Sequence, residues 1–171
     1  MPYTDLLRLT VFLTAAEATA LGAITAIAAG RDDDATTVLV AATWWLISLA
    51  LGFYLGRPAR AADGVRDALA RARTATALPE DTAARIAVAR LWPIGLTALA
   101  AGILGIIYPG VAAIGAGYAL LVALTMRTRE AAVLGIEHRD GVKFYVVPNS
   151  AVRPIELVRT PGLRHDRLHA R

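Results

Sequence analysis

From Leu91 to Met126 the chain runs 36 residues without one charged side chain. As a single helix, at about 1.5 Å per residue, that run would far exceed the roughly 30 Å hydrocarbon core of a bilayer. Lipid offers no partners to backbone polar groups, so a run of this kind has to satisfy them internally, as helix. Its midpoint is Tyr108-Pro109-Gly110. Proline withholds a backbone donor there and glycine allows a tight reversal, so the run reads as two spans, 91–108 and 111–126, joined by a hairpin. The second is short, which predicts a helix continuing out of the membrane through Arg127-Thr128-Arg129-Glu130.

Two further windows reach the roughly 20 apolar residues that a crossing needs. Residues 6–29 are apolar apart from Arg8 and Glu17, and residues 37–56 carry no charge. The expected fold is an all-α transmembrane four-helix bundle. Composition agrees: the 171 residues are 56% hydrophobic and 19% charged, with no cysteine and a mean hydropathy of +0.50. That excludes a disordered chain, a disulfide scaffold and a cysteine-ligated zinc module. The first window has an alternative reading as a signal peptide, since Ala26-Ile27-Ala28 has the small-x-small form of a cleavage site. Against it, no basic cluster precedes Arg8, and Glu17 interrupts the apolar stretch. Cleavage would leave three spans.

Short loops rich in Lys and Arg stay cytoplasmic. The segment 57–90 has seven Arg, and the tail from 127 has eight Arg and Lys143, whereas Arg31-Asp32-Asp33-Asp34 and the Pro109-Gly110 turn lie on the other side. Sixteen of eighteen basic residues thus share one face, and both termini are expected in the cytoplasm, with the protein in the plasma membrane. Tyr3, Tyr54, Trp92 and Tyr108 near the span ends fit an interfacial aromatic belt.

Two domains are expected: a four-span membrane domain, 1–130, and a cytoplasmic tail, 131–171. Within the basic loop 57–90, Ala59 to Ala72 places Val65, Ala68, Leu69 and Ala72 at helical spacing. A break at Ala77-Leu78-Pro79 follows, and Pro79-Glu80-Asp81 resembles the opening turn of a second helix running into the third span. This basic segment either lies against anionic headgroups or is a solvated linker. The tail reads as a small β-hairpin: Val133 to His138, a loop at Arg139-Asp140-Gly141, and a return strand Val142 to Val147. In that register Glu137 faces Lys143 and Ile136 faces Phe144. The competing reading extends the fourth helix through Glu137, because Arg129-Glu130-Ala131-Ala132 are good helix formers. Prolines 148, 154 and 161 make the remainder extended, with Leu163 to Arg171 frayed.

The string Glu137-His138-Arg139-Asp140-Gly141-Val142-Lys143-Phe144-Tyr145-Val146, with Arg153-Pro154-Ile155-Glu156-Leu157-Val158-Arg159-Thr160-Pro161-Gly162 after it, resembles the C-terminal end of small four-helix integral membrane proteins of high-GC bacteria. The resemblance covers about a quarter of the chain. That group has no assigned activity, so the resemblance implies no catalytic residue. Seventeen Arg to one Lys, and an abundance of Ala, suit such a genome.

Glu17 stands out because a carboxylate at mid-membrane depth is expensive, about 2.5–3.5 kcal/mol even on insertion scales. Arg8 is nine residues away, which puts the two side chains on opposite faces of one helix, so partners must come from other helices. Counting depth from each end, Glu17, Ser48, Thr97 and Tyr118 fall at one level, with the indoles of Trp44 and Trp45 about a turn away. This layer reads either as a site where Glu17 binds a proton, a cation or a ligand amine, or as a hydrogen-bonded core layer that specifies packing. Seams of small residues run along Ala15, Ala18, Gly22 and Ala26, along Gly95, Ala98, Gly102 and Gly105, and through Ala113 and Gly117; they pack the bundle or form a homo-oligomer interface.

Other chemistry is sparse. His165 and His169 are four apart but lack an evident third ligand, so no metal or cofactor is expected. No phosphate-binding glycine loop, serine elbow or HExxH pattern occurs. The pI of about 10.0 follows from membrane orientation and not from nucleic-acid binding. A non-enzymatic membrane protein, with its basic face toward anionic headgroups or a partner protein, is the leading expectation. The alternative is a small oligomeric channel or proton-linked transporter using Glu17. A lipid-directed enzyme ranks last, because no nucleophile and base, or paired carboxylates, lie near headgroup depth.

Overall fold

The computed structural model describes residues 1–32, 35–74, 82–149, 151 and 153–161. It contains α1 (Tyr3–Asp32), α2 (Ala35–Leu55), α3 (Pro58–Ala70), β1 (Arg73–Thr74), α4 (Ala83–Ile107), α5 (Pro109–Asp140), β2 (Val142–Val146) and β3 (Leu157–Pro161). Four of the helices, α1, α2, α4 and α5, are long and apolar enough to cross a membrane. The expected break at Ala77-Leu78-Pro79, the Pro79-Glu80-Asp81 turn, Asp33-Asp34 and the histidines 165 and 169 lie outside the described residues.

α1 and α5 form the centre. They run antiparallel, with Arg8 beside Glu130 at one end and Leu21 against Gly115 further along. α2 packs chiefly on α5, and α4 on both α1 and α5. The α5 face that allows this is built from small residues: Ala112, Ala113, Ala116, Gly117, Ala119 and Ala123 are all buried. α4 starts after Thr82 and runs unbroken through Arg90-Leu91-Trp92, with Pro93 inside it, to the turn at Tyr108. Leu96, Leu99, Ile103 and Ile106 on α4 are exposed, as side chains facing lipid should be.

At 32 residues α5 is roughly 48 Å long, so its C-terminal third projects beyond a 30 Å core. This projecting end corrects the expected hairpin. Val133 to His138 forms the last turns of α5 and is not a strand. Val133 is fully buried, so continued helix places it in a core that a solvent-exposed strand would have left open. Gly141 takes the left-handed conformation that the hairpin loop also required (φ 63°, ψ 31°), but here it ends the helix, its N–H donating to Glu137 O. His138 and Arg139 in the last turn suit the negative end of the helix dipole. The strand β2 pairs instead with β3, antiparallel, placing Phe144 opposite Arg159 and Val146 opposite Leu157. β1 adds to the far edge of β3 in parallel, giving the order β1-β3-β2. On the other side of β2, Val146 donates its N–H to Met1 O at 3.0 Å.

A small head results at this end of the bundle. Tyr3, Leu6 and Leu7 of α1, Val65 of α3, Ile86 of α4, Val133 of α5, Phe144 and Val146 of β2, and Leu157 of β3 share one buried cluster. Ala68, Leu69 and Ala72, the other members of the helical face expected for 59–72, pack against it. The apolar face of α3 is therefore covered by protein, while Asp63, Arg66 and Asp67 on its other side are exposed.

Candidate functional site

Two places concentrate polar chemistry: the mid-depth of the bundle and the rim where the spans meet the head.

At mid-depth the four residues expected in one layer divide between the α2–α5 seam, which holds Ser48 and Tyr118, and other surfaces, which hold Glu17 and Thr97. Glu17 is half-buried on the flank of α1 and makes no hydrogen bond or ion pair among the described residues. Ser48 is fully buried between α2 and α5, and its hydroxyl has no hydrogen-bond partner among the described residues. Thr97 is exposed on α4, its hydroxyl donating to Ile94 O in the same helix at 2.9 Å. Tyr118 is 57% exposed and meets Trp44 edge-on, with ring centroids 5.3 Å apart. Ser48, Trp44 and Tyr118 are thus brought together along the α2–α5 seam, and Glu17 and Thr97 are not part of that group.

The indoles have a structural task. Trp44 Nε1 donates to Ile114 O at 3.2 Å and Trp45 Nε1 to Ala113 O at 2.9 Å, so adjacent tryptophans of α2 fasten to adjacent carbonyls of α5. Gly117 makes room for this: a β-carbon there would collide with the Trp44 indole nitrogen and lie 2.8 Å from Ser48 Oγ. Gly22 faces the Trp45 ring from α1. Of the expected seams, Ala18, Gly105, Ala113 and Gly117 are buried within the chain, whereas Ala15, Ala26 and Gly95 are exposed. Gly52 of α2 and Gly56 just after it were not among them, yet β-carbons at these positions would come 2.7 Å from Leu124 and 3.0 Å from Thr128. Their spacing of four is the sequence signal for that close approach.

Beyond Trp45, toward the Asp32 end of α1, α2 leaves an apolar cleft of about 330 Å³ against α1, lined by Thr25, Ala29, Val38 and Ala41 among others. The Thr25 hydroxyl is already engaged by Leu21 O at 2.9 Å. The cleft therefore offers a shape without a polar anchor.

The rim is different. Arg8, which has no use for Glu17, bonds Glu130 of α5 through Nε at 3.0 Å. Arg90 reaches across to the chain before β3, donating to Arg153 O at 2.8 Å and Pro154 O at 3.3 Å. At the α2–α3 elbow the Arg57 and Arg60 guanidiniums lie 4.8 and 4.3 Å from the centroid of the Tyr54 ring. Arg8 and the elbow are at a common depth, since Gly56 touches Thr128, two residues from Glu130, and Arg90 lies at the same end of the bundle, four residues after Ile86 of the head cluster. Arg57 and Arg60 follow Tyr54 at intervals of three, a pattern visible in the sequence once the end of α2 is known.

Further into the head, Glu137 on the projecting end of α5 accepts the Phe144 N–H at 3.0 Å. Burial raises its pKa above the ordinary carboxylate value; the Phe144 N–H and Lys143 pull the other way, and Asp5 adds to the rise. Among the described residues there is no group of three His, Cys, Asp or Glu placed to hold a metal ion. Comparison with protein-family models, with curated proteins and with solved structures gives no match for this chain.

Proposed function

We propose that this chain is a non-enzymatic multi-pass protein of the bacterial plasma membrane that sets a folded basic head on the cytoplasmic surface, against anionic headgroups. The observation that carries this reading is the rim. Arg8 of α1, Arg60 of α3, Arg90 of α4 and Arg127 of α5, together with Arg57 at the α2–α3 elbow, lie near the junction between the four apolar helices and the head. Basic residues within a Debye length of an anionic leaflet each contribute about 1 kcal/mol of attraction, so such a ring orients the protein and holds the head down. The positive-inside bias supports the cytoplasmic placement of that end. The chain has no cysteine, which makes single-cysteine mapping direct.

Cysteine placed at Thr74 should resist an impermeant thiol reagent in intact cells, and cysteine at Gly110 should react. In nanodiscs, amides of α3, β2 and β3 should exchange more slowly in phosphatidylglycerol than in phosphatidylcholine. Labelling with the opposite pattern, or exchange indifferent to headgroup charge, refutes the reading.

A further inference from the structure

The α2–α3 elbow holds two guanidiniums against one neutral ring. Tyr54 is in the last turn of α2, Arg57 precedes Pro58, and Arg60 lies in the first turn of α3. Both charges sit within 5 Å of the Tyr54 centroid, and Arg60 Nη2 also donates to the Tyr54 hydroxyl at 3.0 Å. Two like charges so placed are within about one Debye length of each other, so they repel even in salt. No acid among the described residues relieves this. Asp63, one turn on from Arg60, pairs with Arg66 at 3.1 Å, and neither Arg57 nor Arg60 has an ion pair among the described residues.

The elbow is also held in place. Gly56 is buried, its N–H donates to Gly52 O at 2.8 Å, and it abuts Thr128 of α5 so closely that a β-carbon would lie 3.0 Å from that side chain. Tyr54 is 44% exposed, so the cluster opens outward. It opens at the end of an uncharged 21-residue helix, the depth at which a bilayer presents phosphate. A guanidinium carries five N–H donors in a planar fork that matches phosphate oxygens. Apart from the Tyr54 hydroxyl contact, no donor of this pair has a protein acceptor among the described residues.

From this geometry we infer that Tyr54, Arg57 and Arg60 form a clamp for the phosphate of an anionic phospholipid in the leaflet beside the head. The inference rests on the functional reading above and gives it a site. The phosphate neutralises the repulsion between the guanidiniums and takes up their free donors. A zwitterionic headgroup would bring an ammonium against the same two charges, so the clamp favours a diester with net negative charge.

Native mass spectrometry of the full chain released from nanodiscs of equal phosphatidylglycerol and phosphatidylcholine tests this. Wild type should retain phosphatidylglycerol preferentially. The pair R57Q/R60Q should lose that preference by about five-fold per guanidinium removed. The pair R71Q/R73Q removes the same charge from exposed positions of the head and should keep the preference. The pair R57K/R60K retains both charges should the glutamine pair fail to fold. It should fall between wild type and R57Q/R60Q, since an ammonium lacks the fork. Excess inorganic phosphate should not displace the lipid. Preference that survives in R57Q/R60Q, that is undiminished in R57K/R60K, or that falls equally in R71Q/R73Q, overturns the clamp alone, as does displacement by free phosphate. A wild type with no preference between the two lipids refutes the functional reading and the clamp with it.

Discussion

Substituting alanine at Gly117 tests how the bundle is held together, because it adds one methyl group at the tightest point of the α2–α5 seam. Three terms decide the outcome. Glycine to alanine inside a helix gains about 1 kcal/mol of intrinsic propensity. Against this, the new β-carbon would strike the Trp44 indole nitrogen and come 2.6 Å from Trp44 Cδ1 and 2.8 Å from Ser48 Oγ, and overpacking of this kind costs about 1–3 kcal/mol. Displacing the ring also breaks the Trp44 Nε1 to Ile114 O bond, about 0.5–1.5 kcal/mol net. The balance is a loss of about 1–3 kcal/mol. Gly95 is the matched control, since a β-carbon there meets nothing within 4 Å and only the propensity gain remains. The two variants should therefore differ by about 2–4 kcal/mol. Reversible unfolding in mixed micelles, read by tryptophan emission, measures both directly, because Trp44 and Trp45 are themselves at the seam. If Gly117→Ala is as stable as Gly95→Ala, close approach of α2 to α5 does not depend on the missing side chain, and the account of the seam is wrong.

Ile86 is 1% exposed in the head cluster, and Ile86→Ala should destabilise the head by about 2–5 kcal/mol. Hydrogen exchange should accelerate in β2 and β3 while α2 and the mid-depth part of α5 keep their protection; uniform acceleration would contradict a head that opens separately. Glu137 gives a pH test with a definite sign. Its pKa is raised in the folded chain, so its contribution to stability is fully present below the ordinary value of 4.5 and is lost as pH rises through the raised value. Glu137→Gln keeps an acceptor for the Phe144 N–H and should flatten the fall in head melting temperature over the weakly acidic range above 4.5. A slope identical to wild type would assign the pH dependence to another group.

The four spans could be read from the sequence because the bilayer imposes a length and excludes charge, and both constraints act on contiguous residues. The Tyr108-Pro109-Gly110 reversal and the helix from Pro58 were legible for the same local reason. Glu17 and Ser48 were likewise recognisable as polar residues within spans, but their neighbours were not. Depth can be counted along each helix, whereas rotation about its axis is set by packing. Thr97 shares the depth of Glu17 yet faces away, and Ser48 faces a glycine. The partner of Arg8 lies 122 residues away, and no local pattern points to it.

The tail shows where local signals run out. Gly141 announces a left-handed residue, and either a hairpin loop or a helix end supplies one. The choice fell to Val133, which is buried only if α5 continues, and to β3, which pairs with β2 antiparallel over five residues and so takes the edge that a strand at 133–138 would have used. Legible in the sequence alone were four helices long and apolar enough to cross a membrane, with sixteen of eighteen basic residues in the segments 57–90 and 127–171, because hydrophobic length and charge are properties of segments. Only the tertiary structure decided that the ends of α1, α3, α4 and α5 and three strands share one head, and that Arg57 and Arg60 converge on Tyr54. Those outcomes depend on which faces pack and how closely, and such contacts join residues that are distant in the chain.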